Sequence, residues 1–155
     1  MTDGYILKII GGVVATVGFG VLFKLKPKLL PFAAIVSLAA SISYFTAMHY
    51  LENEFVSNML GTFLAAAISE YFAKKCKAPS TVFLLPGCVV LVPGGSLYYT
   101  MYNIVLADYN GALEKLLVTV EVGIGIGSGI IIVSFIKYLF EAVIRYINEH
   151  KKMSD

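Results

Sequence analysis

The sequence predicts an all-α integral membrane protein, one transmembrane domain (residues 1–155) of about five helices with the fourth discontinuous. Three observations predict it. Of 155 residues, 58% are hydrophobic and only 14% charged, where a soluble domain carries roughly a quarter charged residues. Mean hydropathy is +0.81, and the apolar residues fall into runs near the roughly 20 that cross a ~30 Å hydrocarbon core. The short connections between these runs alternate between basic and non-basic, as the positive-inside rule requires.

Taken in order, the first run covers residues 5–23. Asp3 is acidic where a signal peptide would be basic, and no A-x-A-like site follows, so this run reads as a retained span. Lys8 near its start reads as snorkelling to the outer surface. KLKPK follows, with Lys24, Lys26 and Lys28, and then the second span, 29–48. HYLENE carries Glu52 and Glu54 but no Lys or Arg, and leads into the third span, 54–73. KKCKAPS supplies Lys74, Lys75 and Lys77 before the fourth span, 81–106; LADYNGALEK holds only Lys115 before the fifth, 116–142. The tail EAVIRYINEH reads as an amphipathic helical extension, and Lys137, Arg145, Lys151 and Lys152 complete the basic set. Five spans in the cytoplasmic membrane, with the N-terminus outside and the C-terminus cytoplasmic, satisfy every connection. Four spans break the alternation.

Small residues mark packing faces: Gly12, Thr16 and Gly20; Ala33, Ser37 and Ser41; Gly61, Ala65 and Ser69. In lipid such faces let helix backbones approach, and van der Waals packing holds them. GIGIGSG in the fifth span forms two such pairs, Gly123/Gly127 and Gly125/Gly129, on two faces. That pattern asks for neighbours on several sides, beyond what one small chain supplies, or a homo-oligomer.

The fourth span contains FLLPGCVVLVPGGSLYY, residues 83–99. Proline removes a backbone donor and glycine loosens a helix. In hydrocarbon an unpaired backbone group costs several kcal/mol, so a broken helix survives only within protein or beside a wet cavity. Pro86-Gly87 and Pro93-Gly94-Gly95 are expected to supply half-helix N-termini near mid-membrane, whose free N–H groups suit a carboxylate; a simple proline kink is the alternative. Ser96 and Tyr98 follow as hydroxyl donors, with Tyr98, Tyr99 and Tyr102 also readable as an interfacial aromatic belt.

Ionisable residues inside spans carry the remaining chemistry. Glu121 reads as a proton or cation coupling group, or as a hydrated glutamate at the outer interface. Glu70 reads as a gate at the inner mouth, or as the i, i+4 partner of Lys74. Several classes are excluded. A net charge of +2 without a basic stripe gives nucleic acid no surface, and Cys76, Cys88, His49 and His150 lack metal-ligand spacing. GIGIGSG lacks the Lys-Ser/Thr of a phosphate loop. No nucleophile–base constellation is visible, so no enzyme, metal or cofactor is expected.

KAPSTVFLLPGCVVLVPGGSLYYTM, residues 77–101, resembles the signature of the threonine/serine exporter family in its small YjjB-like subunit form. The likeness extends over nearly the whole chain and carries Glu70, Pro79, Pro86, Gly87, Pro93, Gly94, Tyr98 and Asp108 onto the family pattern. The resemblance implies proton-motive-force-driven export of threonine and serine together with a larger YjjP-like membrane subunit, with succinate export in some split members. It adds Asp108 to the coupling or gating candidates. A structural subunit without its own substrate site is the alternative from another class.

Overall fold

The computed structural model describes residues 2–154, with side chains for residues 5–147. The readings placed on the side chains of Asp3, His150, Lys151 and Lys152 lie outside the described residues. The chain forms α1 (Thr2–Leu22), a 3-10 turn (Pro27–Leu29), α2 (Leu30–Leu51) and α3 (Glu54–Cys76). Then come α4 (Thr81–Cys88), a second 3-10 turn (Val89–Leu91), α5 (Gly94–Val105) and α6 (Tyr109–Ser154). There is no strand among the described residues.

Local chemistry sets the helix ends. Asn53 Oδ1 accepts from the Val56 N–H at 2.9 Å and opens α3; Asp108 Oδ1 accepts from the Gly111 N–H at 3.1 Å and opens α6. Both satisfy donors that a helix start leaves orphaned. α1 and α3 are followed by Lys24 and Lys77 in the left-handed region, φ 56° and 51°. Lysine there places its charge beside the negative end of the helix dipole.

Packing then fixes relative directions. Phe32 of α2 meets Phe72 of α3, and the Ala40 carbonyl lies against Gly61, so α2 and α3 are antiparallel. Tyr5 meets Phe45, and Gly12 approaches Ser41, which makes α1 antiparallel to α2. Phe83 of α4 lies near Phe32 and Gly87 near Val36, so α4 runs parallel to α2. α6 runs parallel to α3, with Gly125 against Asn58, Gly129 against Thr62, and Lys137 paired with Glu70 in one constant register.

Every expected span becomes helix, with two differences. Three helical stretches are long and apolar enough to cross a membrane: Tyr5–Leu22, Pro27–Leu51 and Tyr109–Ile147. The bent pair α4–α5, taken as one, makes a fourth. α3 has the length, 23 residues, but buries Ser57, Asn58, Thr62 and Ser69 at the bundle centre, so composition alone does not mark it as a span. The final helix begins at Tyr109 rather than 116, because Asp108 caps it there. It continues unbroken for 46 residues, about 69 Å long.

The outer surface is apolar. Only 17% of the Tyr5–Leu22 window and 22% of the Tyr109–Ile147 window is buried, leaving Leu7, Val14, Ile124, Ile131 and Phe135 exposed. Surfaces of that size need lipid or another protein. The expected small faces on α1, α2 and α3 are all buried. On α6 one pair packs and the other does not. A Cβ at Gly125 or Gly129 would stand 2.7 or 2.6 Å from a backbone oxygen of α3, whereas one at Gly123 or Gly127 meets nothing within 4 Å.

Candidate functional site

The two Pro-Gly pairs behave differently. Pro86 sits inside α4 without ending it, and both Pro86 and Gly87 are buried. A Cβ at Gly87 would lie 2.5 Å from Val36 Cγ1. Gly87 therefore lets α4 pack directly on α2, and this packing holds the helix through the proline. α4 ends at Cys88, just after the pair, and passes into the 3-10 turn Val89–Leu91 rather than opening a new helix start there.

The break comes at Val92-Pro93. Steric pressure from the following proline drives Val92 extended, ψ 132°, and Pro93, ψ 52°, holds the N-cap position of α5 without a side-chain cap. The two helical pieces meet at a bend of 53°. The turn before the break packs on Gly12 through Val90 and on Gly61 through Leu91. The break therefore lies at about mid-height of α2, level with Ser41.

At the start of α5 the Gly94 N–H bonds to the Val92 carbonyl at 2.8 Å and the Leu97 N–H to that of Pro93 at 3.0 Å. The N–H groups of Gly95 and Ser96 have no acceptor among the described residues. They carry the positive end of the α5 dipole. Neither glycine has a positive φ, and a Cβ at either would meet nothing within 4 Å. Neither backbone geometry nor packing requires glycine there. Its consequence is an unobstructed approach to the free N–H groups.

That approach opens into a cleft of about 190 Å³ lined by Pro93, Gly94, Gly95 and Ser96 on one side. Tyr44 of α2 and Glu54 and Asn58 of α3 line it too, with Val118 and Val122 of α6. The volume is below the roughly 300–1,000 Å³ of sites for drug-sized ligands, and suits a small metabolite. The Tyr44 hydroxyl donates to Glu54 Oε2 at 3.1 Å. Asn58 Nδ2 donates to the same oxygen at 3.3 Å and to the Glu54 carbonyl at 2.8 Å. Larger grooves of about 360 and 350 Å³ along α1 and α2 are lined mainly by apolar and aromatic residues. In a bilayer, grooves of that kind accept acyl chains.

Of the residues singled out in sequence, Pro93, Gly94, Gly95 and Ser96 come together in the cleft. Tyr98 does not line it. At 100° per residue it points away from Ser96, and it is 64% exposed, stacked on Tyr102 with centroids 6.2 Å apart. Glu121 is half-buried, level with Glu54 by the α3–α6 register and flanked by two cleft residues. It has no hydrogen bond or ion pair among the described residues. Glu70 makes its ion-pair contact with Lys137 of α6, Oε2 to Nζ 2.7 Å, while Lys74, the i, i+4 alternative, acts on it only through its charge. Asp108 caps α6, and Pro79 begins the turn into α4. Lys8 is exposed, its Nζ 6.0 Å above the Tyr5 ring.

Tyr44, Glu54 and Asn58 are the residues that sequence reasoning missed. In the sequence Glu54 reads only as a charge in a connection. The available signal was Glu54 and Asn58 at i, i+4 directly after an N-capping Asn53.

A helical bundle clothed in apolar side chains, with an uncapped helix start facing a small polar cleft, is the build of a transmembrane transporter. The chain belongs to the threonine/serine exporter family: the family described as "Threonine/Serine exporter, ThrE" matches residues 8–136, and threonine/serine exporter-type transport follows from that membership. No curated protein and no solved structure matches the chain.

Proposed function

We propose that this chain is a subunit of a secondary exporter that moves threonine and serine out across the cytoplasmic membrane. The substrate carboxylate binds the free N–H groups of Gly95 and Ser96 in the cleft at the α4–α5 break. The observation that carries this reading is a pair of glycines, required neither by backbone nor by packing, at an uncapped helix start. A carboxylate there gains two charge-assisted hydrogen bonds and the favourable end of the helix dipole. Pro86 and Gly87 serve indirectly, by seating α4 on α2 so that the break falls at Pro93.

Transport then works by alternating access about this break. Five crossings, with the N-terminus outside, agree with the parallel set α1, α3, α6 and the opposed pair α2, α4. Proton-motive force is the proposed drive, with Glu121 beside the cleft as the coupling group. The Glu70–Lys137 pair latches the cytoplasmic ends of α3 and α6. Asp108 acts only through the start of α6. A larger YjjP-like subunit completes the exporter, and the open Gly123/Gly127 face of α6 favours an assembly contact there.

Efflux from proteoliposomes, with this chain alone and with its co-encoded partner, tests the reading. Threonine, serine and succinate are compared in parallel. Gly94→Leu fits the fold, because a side chain there meets open space, yet it covers the free N–H groups. It should abolish threonine efflux while the complex still assembles. Undiminished efflux in this variant would remove the cleft from the transport path.

A further inference from the structure

We propose that Glu54 is a specificity-determining residue that receives the ammonium group of the substrate. This rests on the carboxylate site at the start of α5. The cleft has two unlike poles. On one side stand the unpaired N–H groups of Gly95 and Ser96; on another stands the Glu54 carboxylate, with no Lys, Arg or His among the lining residues.

The hydrogen bonds divide the two oxygens of that carboxylate. Tyr44 and Asn58 both donate to Oε2, at 3.1 and 3.3 Å, while Oε1 has no partner among the described residues. Asn58 is 2% exposed, and its second bond, to the Glu54 carbonyl, fixes its amide. One oxygen is thus held and the other left open to a donor. Ordering of the acceptor is complete before a ligand arrives, which lowers the cost of binding. The first turn of α3, where Glu54 sits, also favours its negative charge.

A zwitterion matches both poles at once. A hydroxy acid lacking the ammonium leaves Glu54 unanswered, and a dicarboxylate sets a second negative charge against it. Rejection by an uncompensated group is the stronger part of such discrimination. Tyr44 and Asn58 are positioning residues, because they act through Glu54.

The test uses the full chain purified with its co-encoded partner, and reads ligand binding as the rise in thermal unfolding midpoint. The probes are threonine, 3-hydroxybutyrate (threonine without its ammonium) and succinate. The wild type should bind threonine alone. Glu54→Gln keeps an acceptor for Tyr44 and Asn58, so the fold is retained. It should weaken threonine about 30-fold or more, as loss of one partner of a buried charge pair does, and bring 3-hydroxybutyrate level with it. Glu54→Asp should keep the preference for threonine at reduced affinity. A Glu54→Gln protein that still prefers threonine over 3-hydroxybutyrate overturns the assignment. If Glu54→Gln does not fold, Tyr44→Phe decides: several-fold weaker threonine binding supports the assignment and unchanged binding overturns it. Gly94→Leu separates the two levels. Loss of all binding in it beside an unaltered preference in Glu54→Gln removes only the role of Glu54, whereas intact binding in it removes the carboxylate site.

Discussion

Gly125 and Gly129 face backbone oxygens of α3 at distances no Cβ tolerates, while Gly123 and Gly127, two residues away, face open space. Gly129→Leu should therefore force α6 off α3, with overpacking that costs about 1–3 kcal/mol or more. Gly127→Leu should leave the isolated chain as stable as before and weaken only its assembly with a partner. Thermal unfolding of the chain alone, beside co-purification of the partner, checks both. The Glu70–Lys137 pair predicts a different pattern. Its side chains are 23% and 39% exposed, so the bond adds at most about 1 kcal/mol to stability. Its worth as a latch should show in function: Glu70→Lys or Lys137→Glu alone lowers efflux, and the double swap restores it. Double-swap efflux no better than either single would assign the pair to packing. The packing glycines were legible because small-xxx-small spacing is a property of one helix. Which of two glycine faces is used depends on a neighbouring helix, and one chain's spacing does not say.

At the scale of the element, the two Pro-Gly pairs look alike in sequence and differ in structure. Gly87 is pressed against Val36, and that contact holds α4 helical past Pro86. Val92 has no such restraint and goes extended before Pro93. Pro93→Ala should relieve this and straighten the 53° bend. Spin labels at positions 85 and 101 would then move apart, with efflux reduced; an unchanged distance would mean that packing, not proline, makes the bend. Tyr98 was legible as a tyrosine near the break but not in its direction, since two residues along a helix turn a side chain to nearly the opposite face. Glu54 was misjudged for the converse reason. It lies at the boundary of a span, where charge normally reports topology, and its role depends on Tyr44, ten residues earlier on the antiparallel helix.

At the scale of the molecule, apolar runs and alternating basic connections make the helical bundle legible in the sequence itself. α3 was readable as a helix, yet its polar face becomes meaningful only once α2, α4 and α6 enclose it. The parallel and antiparallel relations predict that residues 53 and 110 share one side of the membrane and residues 26 and 75 the other. Cysteines introduced there should label from outside at 53 and 110 only, and the reverse pattern would invert the orientation. The central claim, that substrate sits at the start of α5, has a more direct test. In a chain with Cys76 and Cys88 replaced, Ser96→Cys and Tyr98→Cys are each treated with a thiol reagent with and without threonine. Threonine should protect position 96 and leave position 98 reactive. Equal reactivity at position 96 with and without threonine would contradict the account.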